Sequence, residues 1–194
     1  MKAGSIVVGT LLVSAMTTFA QEVEVPRAEF GANYSYIREN LGGTLPSYNE
    51  NGGSGYAEYN VNRVLGLVAD FGANHVQNVG DLNMGTTTFT YLFGPRFNWR
   101  LKYITPYVQA LVGGARLSYG VGSALSPTGL AGTQNSFAAA IGGGLDIRLS
   151  SHVAFKPIQI EYLATELPYP GANVTAIQNN LRYSAGLVFR FGSK

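Results

Sequence analysis

The side chains that most often perform chemistry are scarce in this chain. It has 194 residues with no cysteine and two histidines, His75 and His152. Without cysteine the chain has neither disulfides nor thiolate metal sites. A nucleophilic triad needs a serine and a histidine within hydrogen-bond reach, and a metal site needs several converging ligands. We expect the two histidines at opposite ends of the fold, so the sequence predicts no catalytic residue, no metal site and no cofactor.

Glycine runs are a second motif that could carry chemistry. Three of them, at 52–53, 113–114 and 142–144, could suggest phosphate-binding loops. A phosphate-binding loop lies immediately before a helix. These runs instead lie within strand-like segments or at the edge of a loop, so we interpret them as glycine that saves space in a narrow interior.

Charged side chains on the strand-like segments are the third candidate group. Carboxylates can act as general acids, but carboxylates and arginines on one face can also neutralise one another. The pattern favours neutralisation. The charges that share the more polar face are Glu29, Glu58, Asp70, Arg96, Asp146, Arg148, Glu161, Arg182 and Arg190.

The elements that position these charges are strands, because apolar and polar residues alternate with period two. The segment from Thr88 to Trp99 is the clearest: Phe89, Tyr91, Phe93, Pro95, Phe97 and Trp99 share one face. The same alternation predicts eight strands. They lie near residues 27–37, 55–62, 65–74, 88–99, 104–114, 136–148, 158–162 and 180–191.

The connections between these strands differ in length. Those after strands two, four and six, near Asn62, Arg100 and Ser150, are short, whereas the others are long and rich in Gly, Ser, Thr, Asn and Pro. The first long loop is expected over residues 39–53. Short turns that alternate with long loops are typical of outer-membrane barrels, with the turns on the periplasmic side. Both chain termini are therefore expected in the periplasm.

Composition and the first residues agree with a membrane destination. Charged residues make up 12% of the chain, about half the usual share for a soluble domain. After the first twenty residues no apolar run is long enough for a transmembrane helix. Lys2, the apolar stretch 6–16 and the small residue Ala20 predict a signal peptide over 1–20, with the barrel domain over 21–194. A net charge of +2 gives no reason to expect nucleic-acid binding.

The two strand faces differ in size, which assigns inside and outside. One face is larger and apolar, and the other carries Gly, Ala, Ser, Asn and the charges. A barrel of about eight strands has room inside for small residues and a few polar ones, so the larger face must contact lipid. Aromatic residues near the strand ends suit the girdles at the two membrane interfaces. They are Tyr36, Tyr59, Trp99, Tyr162 and Phe191.

Four stretches, YNVNRVLGLVADFG, YLFGPRFN, ITPYVQALVGGARL and NNLRYSAGLVFRFG, resemble the eight-stranded outer-membrane β-barrel domain family, related in architecture to the OmpA transmembrane domain. The resemblance covers nearly all of the mature chain. It implies a terminal aromatic signal for the barrel-assembly machinery, which Phe191 would supply, although Gly192, Ser193 and Lys194 follow it. It does not imply the peptidoglycan-binding domain of full-length OmpA proteins, for which we expect no room after the last strand. Neither histidine has the serine two residues later that lipid A deacylase barrels need.

These observations predict an all-β, closed, antiparallel, up-and-down transmembrane barrel in the outer membrane. We expect a structural or surface-interaction protein that acts through its external loops and is not an enzyme. The alternative is a narrow solute pore, and a lipid-modifying barrel enzyme is less favoured. Expected partners are outer-membrane lipids and lipopolysaccharide, the assembly machinery and an unidentified extracellular ligand.

The charged residues on the interior face are expected to form two clusters that plug the lumen. Counted from the periplasmic strand ends, Glu58, Asp70 and Arg96 reach similar heights on neighbouring strands. Glu161 and Arg182 lie level with each other but nearer the outside. We therefore predict one cluster with Arg96 between two carboxylates, and a second that is a simple pair.

Overall fold

Eight antiparallel strands close into one barrel in the computed structural model, which describes residues 24–39, 48–77, 84–121, 131–166 and 177–193. The strands are β1 (Pro26–Glu39), β2 (Tyr48–Asn60), β3 (Leu65–Val76), β4 (Met84–Asn98), β5 (Ile104–Val121), β6 (Ala131–Arg148), β7 (Val153–Thr165) and β8 (Gln178–Ser193). Each strand pairs with its neighbours in sequence, and β1 pairs with β8. The predicted all-β closed barrel is confirmed. The signal peptide over 1–20 lies outside the described residues and stays a prediction.

Two kinds of connection define the two ends of the barrel. The short connections 61–64, 99–103 and 149–152 lie at one end, here called the turn end. Asn62 Oδ1 accepts hydrogen bonds of 2.8 Å from the backbone N–H groups of Val64 and Leu65, an Asx turn that suits a tight reversal. The other four connections lie at the opposite end, the loop end. Their residues 40–47, 78–83, 122–130 and 167–176 lie outside the described residues. Within the described residues, none forms a helix long and apolar enough to cross a membrane.

Most strands extend further toward the loop end than predicted. The expected loop over 39–53 is wrong in its second half, because residues 48–53 belong to β2 and pair with β1, with Gly53 opposite Tyr34. Strand β5 likewise continues past Gly114 to Val121. Polar and glycine-rich sequence obscures the alternation there. Backbone pairing, rather than side-chain pattern, maintains these segments as strand. Residues 48–50 pair with β1, residues 51–53 pair with β1 and β3, and the end of β5 pairs with β4 and β6.

Strand β7 contains an irregularity that changes which side chains face inward. Its register against β8 shifts between Lys156 and Gln159, and both of these side chains are buried. Pro157 lies between them, and a residue without a backbone N–H suits a point where the ladder is interrupted. The strand also begins at Val153 rather than near Ile158. The bulge therefore adds Lys156 to the interior, which period-two counting does not predict.

The faces are assigned as predicted: the larger apolar face points outward. Phe93 is 48% exposed, whereas Arg96 three residues later is 1% exposed. Outward aromatic rings contact one another across strands, as in the edge-to-face pair of Phe71 and Phe93 with centroids 5.8 Å apart. The five aromatics predicted for the girdles are all at least partly exposed. The interior holds the charged groups together with a small apolar set that includes Ile37, Val68 and Leu92.

Candidate functional site in the barrel lumen

The lumen is densely occupied by charged side chains. Among the described residues, six carboxylates and five basic groups are buried. They are Glu29, Glu50, Glu58, Asp70, Asp146 and Glu161, and Arg96, Arg100, Lys156, Arg182 and Arg190. Burying a charge is costly unless it is paired and hydrogen-bonded. The contacts of these groups therefore decide what the lumen can do.

Arg96 on β4 is the centre of the first group of contacts. Its Nη1 lies 2.9 Å from Glu58 Oε2 on β2, and its Nε donates to Gln109 Oε1 on β5 at 2.7 Å. Asn98 Nδ2 donates to the other oxygen of Glu58 at 2.7 Å. Arg96 thus connects three strands, and both Glu58 oxygens have a donor.

Two tyrosine rings enclose the Arg96 guanidinium. Its Cζ lies 4.4 Å from the ring centroid of Tyr56 and 4.3 Å from that of Tyr107. Lys156 Nζ lies 4.1 Å from the Tyr56 centroid and donates to Gln159 Oε1 at 2.9 Å. Cation–π contacts of this kind strengthen where water is excluded. The two rings allow two like charges to share one narrow cross-section of the barrel.

Arg182 on β8 forms the second group of contacts. Its Nε donates to Glu161 Oε2 at 2.7 Å, and its Nη1 lies 2.9 Å from Asp70 Oδ1. The structure therefore pairs Asp70 with Arg182, where the sequence interpretation placed Asp70 beside Arg96. Arg182 reaches Asp70 across the lumen, from β8 to β3. Counting residues from the strand ends gives the level of a side chain along the barrel axis. It cannot show which side chains meet from strands on opposite sides of the barrel.

Gln109 joins the two groups into one network. It accepts from Arg96, and its Nε2 donates to Glu161 Oε1 at 2.7 Å. Gln159 adds a parallel link, because it accepts from Tyr107 Oη at 2.6 Å and donates to Glu161 Oε2 at 2.7 Å. The predicted pair of separate clusters is therefore a single chain of contacts. Charge alone does not identify either glutamine in the sequence, although both occupy the inward positions of their strands.

A further cluster closes the turn end. Glu29 is held by Arg100 Nη2 at 2.5 Å and by Arg190 Nε at 3.1 Å, and Asn60 Nδ2 donates to it at 3.0 Å. Arg100 follows β4 in a turn, where strand counting assigns no interior side chain. Arg148, predicted on the interior face, is only partly buried at this end.

Glu50 on β2 is a buried carboxylate near the loop end. Thr86 and Thr88 hydroxyls donate to its Oε1 at 3.1 and 3.2 Å. The sequence predicts a loop over 39–53, so Glu50 is not among the interior charges that alternation identifies.

The histidines lie where the sequence places them, at opposite ends. His75 Nδ1 contacts Thr87 Oγ1 at 2.9 Å on the outward face, and His152 Nδ1 contacts Ser151 Oγ at 2.8 Å in an exposed turn. A triad also needs a third group that orients the histidine. Neither imidazole hydrogen-bonds to a carboxylate in the described part of the chain. The same residues contain no group of three or more His, Cys, Asp or Glu side chains suited to a metal ion.

Phe191 lies near the end of β8 with its ring exposed on the outward face. Its centroid is 5.7 Å from that of Phe30 on β1, in an edge-to-face contact across the strand pair that closes the barrel. Its role as an assembly signal stays a prediction.

Comparisons with known proteins agree with this architecture. The family model "Outer membrane protein beta-barrel domain" matches residues 5–191. A comparison with curated protein sequences found no match. Neisserial surface protein A has a similar structure, with a TM-score of 0.64, 13% identity and coverage of 88% of this chain and 100% of that chain.

Two further solved structures share the fold. Ail, the attachment invasion locus protein of Yersinia pestis, has a TM-score of 0.55 at 16% identity, covering 84% of this chain and 96% of its own. Outer membrane protein OprG from Pseudomonas aeruginosa has a TM-score of 0.55 at 12% identity, covering 87% and 97% respectively. Identities this low indicate a common fold and nothing more specific.

Proposed function

Because the chain belongs to the outer-membrane protein β-barrel domain family, we propose that it is a plugged barrel that presents its loop end outside the cell and acts by surface interaction. In this orientation the turn end and both chain termini lie in the periplasm, as the alternation of short turns and long connections suggests. The proposal includes no enzymatic activity, because the described residues contain no assembled triad.

The continuous ion-paired network across the lumen is the observation that carries this proposal. Eight strands leave an interior that side chains can fill. Here Arg96, Gln109, Glu161 and Arg182 join one wall of the barrel to the other through bonds of 2.7 Å, and Arg182 extends the network to Asp70. A solute that passed through the lumen would have to break charge-assisted hydrogen bonds. This argues against the alternative of a narrow pore.

The composition of the loops narrows the class of external partner. Segments 40–47, 78–83, 122–130 and 167–176 contain one charged residue, Asp81, and no Lys, Arg or His. Ail has been solved in complex with the heparin analogue sucrose octasulfate. Recognition of a sulfated polyanion needs cationic side chains, which these segments lack. The composition therefore suits an uncharged partner surface, contacted through Leu, Val, Pro, Ser, Thr and Asn.

The outward face supports the remaining proposed partners. Its exposed apolar band suits outer-membrane lipids and the acyl chains of lipopolysaccharide, and Phe191 is proposed as the aromatic read by the barrel-assembly machinery. Arg38 and Arg116 are exposed near the loop end, where they are placed to meet lipopolysaccharide phosphates.

Planar-bilayer recording tests the plugged lumen. We expect the purified wild-type barrel to insert into the bilayer without steady single-channel conductance. The recording uses about 1 M salt, because surface charge is then screened within roughly 3 Å. Steady, uniform channels in the wild type would contradict the plug and favour the pore.

Cysteine labelling tests the orientation, because the chain has no natural cysteine. We expect a membrane-impermeant maleimide to label Ser126→Cys on intact cells and to label Lys102→Cys only after the outer membrane is permeabilised. The opposite result would place the loop end in the periplasm.

For the loop interaction, cells that carry Leu125→Asp should adhere less to an uncharged apolar surface than wild-type cells, with Ser126→Thr as the conservative control.

A further inference from the structure

Glu50 is a buried carboxylate without an ion-pair partner among the described residues. It is 0% exposed, its Oε1 accepts two threonine hydroxyls, and its Oε2 has no hydrogen-bond partner among the described residues. No described basic group lies within ion-pair distance of it. In the strand pairing Glu50 lies opposite Ile37, and Ile37 lies opposite Arg182. The Arg182 guanidinium, however, bonds Glu161 and Asp70.

The two halves of the lumen carry opposite excess charge. Toward the loop end, the described buried charges are Glu50, Asp70 and Glu161 against Arg182. Toward the turn end, four basic groups face three carboxylates. These are Arg96, Arg100, Lys156 and Arg190, and Glu29, Glu58 and Asp146. The loop-end half therefore has an uncompensated negative charge.

The remaining sequence does not supply the missing cation. The segments that connect the strands at the loop end contain no Lys, Arg or His. Besides Arg182, the described arginines of this half are Arg38 and Arg116, and both are exposed on the outward side of the barrel. A cation that pairs with an ionised Glu50 would therefore come from solution.

Polar atoms without a hydrogen-bond partner among the described residues lie on the two strands that flank β2. Asn74 is 1% exposed, and neither of its amide atoms has a hydrogen-bond partner in the part of the chain that the structure describes. Its Oδ1 lies 2.7 Å from where a Cβ of Gly52 would stand, and Gly52 is two residues from Glu50 on the same strand face. Ser35 Oγ, opposite Gly52 in the register, is also buried with no partner within the described ranges. Hard cations prefer carboxylate, amide and hydroxyl oxygens of this kind.

We propose that Glu50, Asn74, Ser35, Thr86 and Thr88 form an outer-lumen site that binds one hard cation of the alkali or alkaline-earth class. Glu50 provides the charge, and the amide and hydroxyl oxygens replace part of the hydration shell. With a single carboxylate the site is weak, and its apparent Kd for calcium is on the order of 10⁻⁴–10⁻³ M, the range of extracellular calcium modules.

Thermal unfolding of the folded chain in detergent micelles tests the site. The Tm is measured in chloride salts of sodium, potassium, magnesium and calcium, and in N-methylglucamine chloride at equal ionic strength. We expect the Tm to rise by roughly 5–10 °C, with saturation, in at least one of the small cations. Stabilisation by calcium without sodium identifies a divalent site, and the reverse identifies a monovalent one.

Variants assign the effect to the site. Glu50→Gln should lose the cation-dependent rise, whereas Glu166→Gln, which removes an exposed carboxylate at the same end, should keep it. Asn74→Ala should keep the fold and raise the apparent Kd about tenfold, and it provides the test should Glu50→Gln not fold. A Tm equal in all five salts would overturn the proposal. So would a rise that persists in both Glu50→Gln and Asn74→Ala, or one that Glu166→Gln also abolishes.

Discussion

Replacing Arg96 with methionine tests the lumen network at its centre. The substitution removes the guanidinium between the Tyr56 and Tyr107 rings and keeps a long, unbranched side chain. It leaves Glu58 buried with Asn98 as its remaining hydrogen-bond donor among these contacts, and it takes the Nε donor from Gln109 Oε1. The perturbation is therefore a buried charge that has lost its partner.

The expected cost follows from burial. Arg96 is 1% exposed, and removing one partner of a buried pair costs about 3–5 kcal/mol. Glu58→Gln alone should cost about 1–3 kcal/mol, because Arg96 keeps Gln109 and both aromatic rings. In the double variant no buried carboxylate lacks its partner. The effects of Arg96→Met and Glu58→Gln on the free energy of unfolding should therefore couple by about 1–3 kcal/mol.

Urea titration in lipid vesicles measures these free energies of unfolding. Trp99, the one tryptophan of the chain, follows β4 and reports the transition by fluorescence. Arg38→Met, the same substitution at an exposed position on the outer wall, is the matched control. It should change the free energy of unfolding by no more than about 0.5 kcal/mol.

A second double-mutant cycle distinguishes the pairing of Asp70 with Arg182, seen in the structure, from the pairing of Asp70 with Arg96, inferred from the sequence. Asp70→Asn should couple strongly to Arg182→Met, which removes its ion-pair partner at 2.9 Å. It should couple less to Arg96→Met, which it does not contact. Additivity of Arg96 and Glu58 within about 0.5 kcal/mol, or equal coupling of Asp70 to both arginines, would refute the network.

Three further substitutions test the wall of the barrel. Phe93→Arg on the lipid face should cost about 2–4 kcal/mol in vesicle titrations, and Phe93→Leu much less; equal costs would contradict the assignment of faces. Gly113→Ala should cost about 1–3 kcal/mol because its Cβ would lie 2.0 Å from the Tyr91 carbonyl oxygen. Gly53→Ala, where the nearest atom is 3.5 Å away, should change the same free energy by at most about 0.5 kcal/mol, and a similar loss at both glycines would disprove the steric argument. Phe191→Ala should delay the appearance of the compact, heat-modifiable band in pulse-chase gels of growing cells. An unchanged rate would remove Phe191 as an assembly signal.

The sequence alone determines the class of fold and, outside the β7 bulge, which side of a strand faces lipid. Period-two alternation is a local property of a strand, so Phe89, Tyr91 and Phe93 can be assigned to the outside without knowledge of any other strand. Turn chemistry is local too, and Asn62 and Ser150 mark short reversals that the structure retains. The loop-end halves of the strands are harder to predict, because residues 48–53 form strand through pairing with β1, and from Asn51 also with β3, rather than through their own pattern.

Only the tertiary structure decides which interior groups meet. Asp70 and Arg182 are 112 residues apart and lie on strands that are not neighbours, so their contact depends on the closure and tilt of the whole barrel. The bulge that turns both Lys156 and Gln159 inward depends on the register against β8. Arg100 reaches Glu29 from a turn, where alternation assigns no face. Alternation determines whether a side chain points into the lumen or toward lipid. Which group it contacts depends on its level along the barrel axis and on distances across the lumen, and both are set only when the eight strands close into the barrel.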